Sequence, residues 1–184
     1  MIVLLRHAES AWNAVFSRSR IDPGLPDPPL TEEGRRQAEE AARRLAGRGV
    51  ERLLASPYRR TLETAAIIAA KLDLPIEVEP LVRERFAFSC DIGTPASLLR
   101  RDWPQLDFAG LPEIWWGGLI ESDRSLAARC RAFRRRLGED SADGRVAVVS
   151  HWGFLLAFTG RRFDNGSLLV VERQRILEDG DRGA

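Results

Sequence analysis

The chain contains two histidines, His7 and His151, and each stands two residues beyond a short apolar run: Ile2 to Leu5 before the first, Val146 to Val149 before the second. Such runs predict strands buried on both faces of a sheet. In an open α/β sheet, ligands bind beyond the carboxyl ends of the strands. Two strand-end histidines far apart in sequence can therefore meet above one sheet. Either histidine alone reads as a surface or core-satisfying side chain; the pair, each directly after an apolar strand, favours a shared site. Arg6 adjoins His7, and Ser56-Pro57-Tyr58-Arg59-Arg60-Thr61 places two more arginines after a third apolar stretch, Leu53-Leu54. The guanidinium fork matches the oxygens of a phosphate. Helices starting close to Ser10, Tyr58 and Trp152 would add free backbone N–H groups, which also favour anions. Together these groups predict a pocket for a tetrahedral anion. A metal site fits less well, because zinc or iron would want further ligands at short spacing and the arginines would oppose a cation.

The intervening sequence supplies elements able to carry these residues. Ile21 to Pro29 is rich in proline and glycine and reads as loop. Thr31 is a helix cap with Glu32 and Glu33 in the first turn, followed by Ala38, Ala41, Ala42 and Leu45 at helical spacing. Val50 to Ala55 reads as a strand, Tyr58 to Leu72 as a helix and Ile76 to Glu79 as a further strand. Thr94-Pro95 opens a helix running to about Trp103. Trp103 to Ile120, with three tryptophans, two prolines and three glycines, yields no assignment. Ser122 to Leu137 is helical, with an arginine-rich outer side (Arg131, Arg134, Arg135, Arg136) that reads as a solvated face. Trp152 to Phe158 reads as helix, Ser167 to Glu172 as strand, and Gly180 to Ala184 as a frayed end. The alternation predicts an α/β three-layer sandwich: a mostly parallel central sheet with helices on both faces.

Composition narrows the field. The 184 residues suit one domain, 1–184, large enough to bury a core without disulfide or metal. With 44% hydrophobic and 30% charged residues, disorder and a pure coiled coil are excluded. A formal charge of +1 offers no electrostatic footprint for nucleic acid. No apolar run reaches membrane-spanning length, since Ser150, His151 and Gly153 interrupt the longest. The amino terminus lacks a signal-peptide pattern, so a cytoplasmic protein is expected. Cys90 and Cys130 are expected as reduced thiols, at least one in the core. Because Lys71 is the sole lysine, arginines are common here and each must be judged by position. Nothing in the sequence specifies an oligomeric state.

Leu5-Arg6-His7-Ala8-Glu9-Ser10-Ala11-Trp12-Asn13 resembles the signature of the histidine phosphatase superfamily, in its phosphoglycerate mutase-like branch. Asp27 to Gly34 is similar to the segment that follows there. Ser56 to Thr61 with Thr64-Ala65 resembles the second arginine motif, Val82-Arg83-Glu84-Arg85 the acidic motif, and Val149-Ser150-His151 the second-histidine motif. These motifs keep the family order from residue 2 to about 160. The resemblance implies the family fold and no metal or other cofactor. It implies His7 as a nucleophile forming a phosphohistidine, with Arg6, Arg60 and His151 around the phosphoryl oxygens and Asn13 as a further donor. It implies Glu84 as the acid that protonates the leaving alkoxide and then activates water. Arg60 rather than Arg59 is chosen because the family arginine lies four residues after the motif serine.

Other readings stay open at this level. Glu84 also reads as a solvated loop carboxylate, Asn13 as a cap, and Glu9 as a first-turn acid. The tryptophans Trp103, Trp115 and Trp116 suit a core or a pocket cover equally. Two departures from the family pattern stand out. Ala8 replaces the usual glycine, and Trp152, expected to touch substrate, follows His151 where the branch often has glycine. The expected function is a metal-independent phosphatase acting on a small phosphomonoester. A phosphoglycerate mutase and an inactive phospholigand-binding module are the alternatives. Residues 86–122 are expected to form a substrate-covering insertion that sets specificity.

Overall fold

The apolar runs form strands β1 (Ile2–Arg6), β2 (Arg52–Ala55), β3 (Ile76–Val78), β4 (Val146–Ser150) and β5 (Leu168–Val171). In the computed structural model, which describes residues 1–117, 120–139 and 144–178, they make one sheet in the order β3-β2-β4-β1-β5. Four strands are parallel, and β5 pairs antiparallel along the outer side of β1. Side chains alternate across the sheet. Val3, Leu5, Leu53, Ala55, Ala147 and Val149 enter one core. Ile2, Leu4, Leu54, Val146 and Val148 enter the other. That double burial is why these strands carry no polar alternation.

Helices cover both faces. On the first lie α2 (Glu32–Leu45), α3 (Arg59–Leu72) and α4 (Ala96–Asp102); on the second lie α5 (Asp123–Glu139), α6 (Trp152–Thr159) and α7 (Arg173–Glu178). The helix α1 (Ala11–Ser19) follows β1 directly. The three-layer α/β architecture is therefore as the sequence predicts. The α2 cap is also as expected, with Thr31 Oγ1 accepting the Gly34 N–H at 2.9 Å. Helix α7 and the short 3-10 turns Pro80–Val82 and Ser89–Asp91 are additions. The expected frayed end, Gly180 to Ala184, lies outside the described residues. Cys90 and Cys130 are free and buried. Among the described residues no helix is long and apolar enough to cross a membrane.

The tryptophans of the unassigned segment belong to the core. Trp115 packs edge-on against Tyr58 at 4.6 Å and donates its indole N–H to Thr94 O at 2.9 Å. Trp103 and Trp116 pack, partly buried, on the same cluster. Irregular backbone here is held by large aromatic anchors rather than by a repeating pattern, which left no period for the sequence to reveal.

One close approach joins the first helical layer to the segment after β1. The Glu9 carbonyl accepts the Thr31 N–H at 3.0 Å, and a Cβ on Gly34 would lie 2.0 Å from that same oxygen. The backbone contact leaves no flexible atom to yield. Gly34→Ala is expected to cost about 1–3 kcal/mol, the usual range for overpacking, seen as a lower urea midpoint at unchanged slope. An unaltered midpoint would show that α2 parts from this segment without cost.

Candidate active site

Strand register brings the two histidines together. β1 and β4 pair in parallel with Leu5 opposite Val149 and Arg6 opposite Ser150. The next residues are His7 and His151, and the ladder continues through His7 N–H to Ser150 O at 2.9 Å. Their ring centroids lie 5.2 Å apart. β2 ends alongside, with Ala55 opposite Val149, so Ser56 reaches the same place. The Ser56 hydroxyl sits 2.8 Å from His151 Nε2. The turn before β5 closes the other side, where Asn165 Nδ2 and Gly166 N–H both donate to His7 O at 3.2 Å.

Each imidazole has a defined environment. His7 Nδ1 lies 2.7 Å from Ala8 O. A carbonyl only accepts, so Nδ1 carries the proton and Nε2 keeps its lone pair. Burial, then the charges of Arg60 and Arg6, hold the pKa of His7 well below the usual histidine value. The same causes, led by burial and Arg60, depress His151. Its Nδ1 is buried and has no hydrogen-bond partner among the described residues. Both rings are therefore neutral at neutral pH.

The arginines are anchored rather than loose. Arg60 stands in the first turn of α3, with its guanidinium 4.3 Å over the centroid of the Tyr58 ring. Arg60 donates to Cys90 O at 2.7 Å and pairs with Asp91 at 3.2 Å, both side chains being almost wholly buried. Asp91 turns its second oxygen to the N–H groups of Ala87 and Phe88, each at 3.0 Å. Arg6 donates to Phe163 O at 2.9 Å, while its buried Nε has no partner among the described residues.

Glu84 reaches the site from the loop after β3. Its carboxylate accepts the N–H groups of Gly153 and Phe154 at 3.1 and 3.0 Å, at the positive end of α6, and that of Arg85 at 2.7 Å. Burial, then the negative charge of Asp91, raise its pKa; the Gly153 and Arg85 N–H groups oppose this without reversing it. The approach requires Gly153, since a Cβ there would lie 2.6 Å from a Glu84 oxygen. Arg129, from α5, fixes the loop by donating to Leu81 O at 2.8 Å and Arg83 O at 2.6 Å, and it pairs with buried Glu121.

A cavity of about 640 Å³ opens beyond these groups, and Arg6, His7, Asn13, Arg60, Glu84 and Trp152 all line it. His151 sits beneath, fully buried against His7 and Ser56. Asn13 is indeed a cap partner, since its Oδ1 accepts the Ser10 N–H at 3.1 Å. That bond fixes the amide orientation and leaves Nδ2 without a partner among the described residues. Trp152 is 41% exposed. From 86–122, the residues lining the cavity are Ala87, Phe88, Cys90 and Asp91; the three tryptophans of that segment are not among them. Ala8 does not line the cavity either, and its methyl group packs with Leu30 and Ala38. Sequence reasoning did not reach Asp91, Gly153, Arg129 or Asn165. Only Asn165-Gly166 carried a local signal, that of a turn.

Comparison with known proteins agrees with this arrangement. The family model of the histidine phosphatase superfamily (branch 1) matches residues 2–168. A protein of Yersinia enterocolitica named probable phosphoglycerate mutase GpmB is 40% identical over 155 residues, 82% of this chain and 68% of its own. Mycobacterial glucosyl-3-phosphoglycerate phosphatase, in a structure with VO3, is 25% identical with a TM-score of 0.63, covering 91% of this chain and 88% of that one. The phosphoserine phosphatase of Entamoeba histolytica, solved with 3-phosphoglyceric acid, shares the fold at 20% identity and a TM-score of 0.62, covering 91% and 87%. With its motifs in order and its paired histidines beneath one cavity, the chain belongs to the histidine phosphatase superfamily, branch 1.

Proposed function

We propose that the protein hydrolyses a small phosphomonoester, without a metal, through a phosphohistidine on His7. The observation that carries this reading is the His7 Nδ1–H bond to Ala8 O, which leaves Nε2 as a lone-pair nucleophile beside two guanidiniums. In the first step Nε2 attacks phosphorus and the bond to the leaving oxygen breaks. The imidazole becomes cationic, and the Ala8 carbonyl stabilises the proton that stays on Nδ1. Arg6, Arg60 and Asn13 Nδ2 donate to the phosphoryl oxygens. His151 does not line the cavity, and its buried Nδ1 becomes a donor toward the phosphoryl group when Ser56 donates its hydroxyl proton to Nε2 and that group seats against His7.

Glu84, whose raised pKa favours the protonated form, gives its proton to the departing alkoxide. Its carboxylate then takes a proton from water. The water oxygen attacks phosphorus, the P–N bond breaks, and His7 and Glu84 return to their starting states. Within 86–122, residues 87–91 carry the substrate-facing role, while the tryptophans hold that segment to the core.

Phosphoryl transfer is the second reading, favoured by the similarity to the Yersinia protein. The two differ in whether water or a second hydroxyl receives the phosphoryl group.

Wild type should release phosphate from p-nitrophenyl phosphate in EDTA, vanadate should inhibit it, and His7→Ala should fall to background. Equal, marginal rates for wild type and His7→Ala across a panel of phosphate esters would sink the reading. Binding without turnover would instead indicate an inactive phospholigand module. Transfer between phosphoglycerates faster than phosphate release would select the mutase.

The pH profile supplies a separate test. His7 must be neutral, a condition met above its depressed pKa; Glu84 must be protonated, a condition lost as pH rises through its raised pKa. The alkaline limb therefore belongs to Glu84. Glu84→Gln should abolish that limb and lower kcat on an alkyl phosphate by roughly 10²–10⁴, the usual weight of a general acid. An alkaline limb that survives in Glu84→Gln assigns the proton elsewhere. Gly153→Ala, which drives a methyl group at Glu84, should lower kcat while leaving the Kd for vanadate within about threefold, a change below 1 kcal/mol; an unaffected kcat would show that Glu84 needs no such close seat.

A further inference from the structure

We infer that the substrate is a phosphomonoester of an alcohol bearing a planar aromatic group, which stacks on a wall formed by Trp12, Phe16 and Phe88. This assignment rests on the phosphomonoester reading above. Trp12 and Phe16 are one helical turn apart on α1 and stack at 4.3 Å with 15° between their planes. Phe88 tilts against both, at 5.2 and 5.4 Å. All three line the cavity that holds His7 and Arg60; Trp12, only 6% exposed, backs the wall, Phe16 is half-buried, and Phe88 keeps 42% of its surface exposed.

The wall is braced at both ends. Trp12 donates its indole N–H to Asp22 at 2.9 Å, and Asp22 also accepts the Ser89 N–H at 2.8 Å, tying α1 to the turn that bears Phe88. On the other side, Asp91 holds the Phe88 N–H with one oxygen and pairs with Arg60 through the other. One carboxylate thus fixes the distance from the phosphate-facing arginine to the aromatic surface. Rings fixed in this way bind a flat partner without a large ordering cost.

Size and charge select the ligand class. A cavity of about 640 Å³ lies within the 300–1,000 Å³ span of pockets for drug-sized ligands. Beyond the phosphate-facing Arg6 and Arg60, a leaving group with a carboxylate would find one unengaged cavity guanidinium among the described residues, that of Arg20, exposed at the rim. Arg60 is paired with Asp91, and Arg85 with Asp123 while also donating to Glu121 O. Acidic Glu9 and Asp164 also line the cavity.

Calorimetry with two phosphonates, whose P–C bond the enzyme cannot hydrolyse, tests this independently of turnover. (1-Naphthyl)methylphosphonate should bind at least tenfold more tightly than methylphosphonate. The ratio should fall at least threefold in Phe88→Ala and persist in Phe88→Tyr. Equal Kd values, no binding of the naphthyl compound at millimolar concentration, or a ratio unchanged in both Phe88→Ala and Phe16→Ala would overturn the inference. Parallel assays of naphthylmethyl phosphate and ethyl phosphate, esters of similar alcohols, keep the two readings apart. Turnover of ethyl phosphate with equal phosphonate affinities sinks the aromatic subsite alone. A retained phosphonate ratio with no ester turned over sinks hydrolysis alone.

Discussion

The in-register parallel pairing of β1 with β4 is the constraint on which the rest of the molecule depends. Arg6 lies opposite Ser150, so the residues that follow, His7 and His151, leave the sheet side by side. A slip of two residues would keep every apolar side chain on its proper face. It would also move one histidine by about 6.6 Å along the sheet, more than the 5.2 Å that separates the rings. Hydrophobic burial alone therefore does not fix the site. The backbone ladder continues past the strand ends in the same register, through His7 N–H to Ser150 O.

Above that edge, the structure separates charge by position. The two imidazoles are buried beside arginines and stay neutral, which leaves the lone pair of His7 Nε2 free. The arginines face the cavity but are oriented by carbonyls and by Asp91. Glu84 is held on backbone N–H groups at the start of α6 yet keeps a raised pKa, because removal from water and the nearby Asp91 charge outweigh those bonds. The two residues that depart from the family pattern read in the sequence, Ala8 and Trp152, have defined places. The Ala8 methyl points into a small apolar cluster with Leu30 and Ala38. Trp152 lies at the cavity wall, and its successor Gly153 supplies both the N–H and the space that Glu84 uses.

Most of the fold was legible in the residues because its signals are local. Uninterrupted apolar runs marked the central strands, Thr31 marked the start of α2, and Leu126, Cys130, Phe133 and Leu137 marked the buried side of α5. His7 and Arg6 stood out as a rare and a forked side chain at a strand end, whereas Arg60 was told from Arg59 only by the family resemblance. The segment from Trp103 to Trp116 was not legible, since its order comes from aromatic packing on Tyr58 and not from any period.

By itself the sequence determined the layered α/β plan, the strand-end position of both histidines and the arginine-rich character of their surroundings. Each follows from residue type and near-neighbour spacing. The family resemblance had singled out Glu84, but only the tertiary structure showed the surroundings of its carboxylate and brought Asp91 beside it. Glu84 gains its raised pKa from being shut in against α6, and Asp91 gains its role by bridging Arg60 to the Phe88 turn. Desolvation and long-range pairing have no local signature, because they depend on what the folded chain brings to a residue and not on what stands next to it.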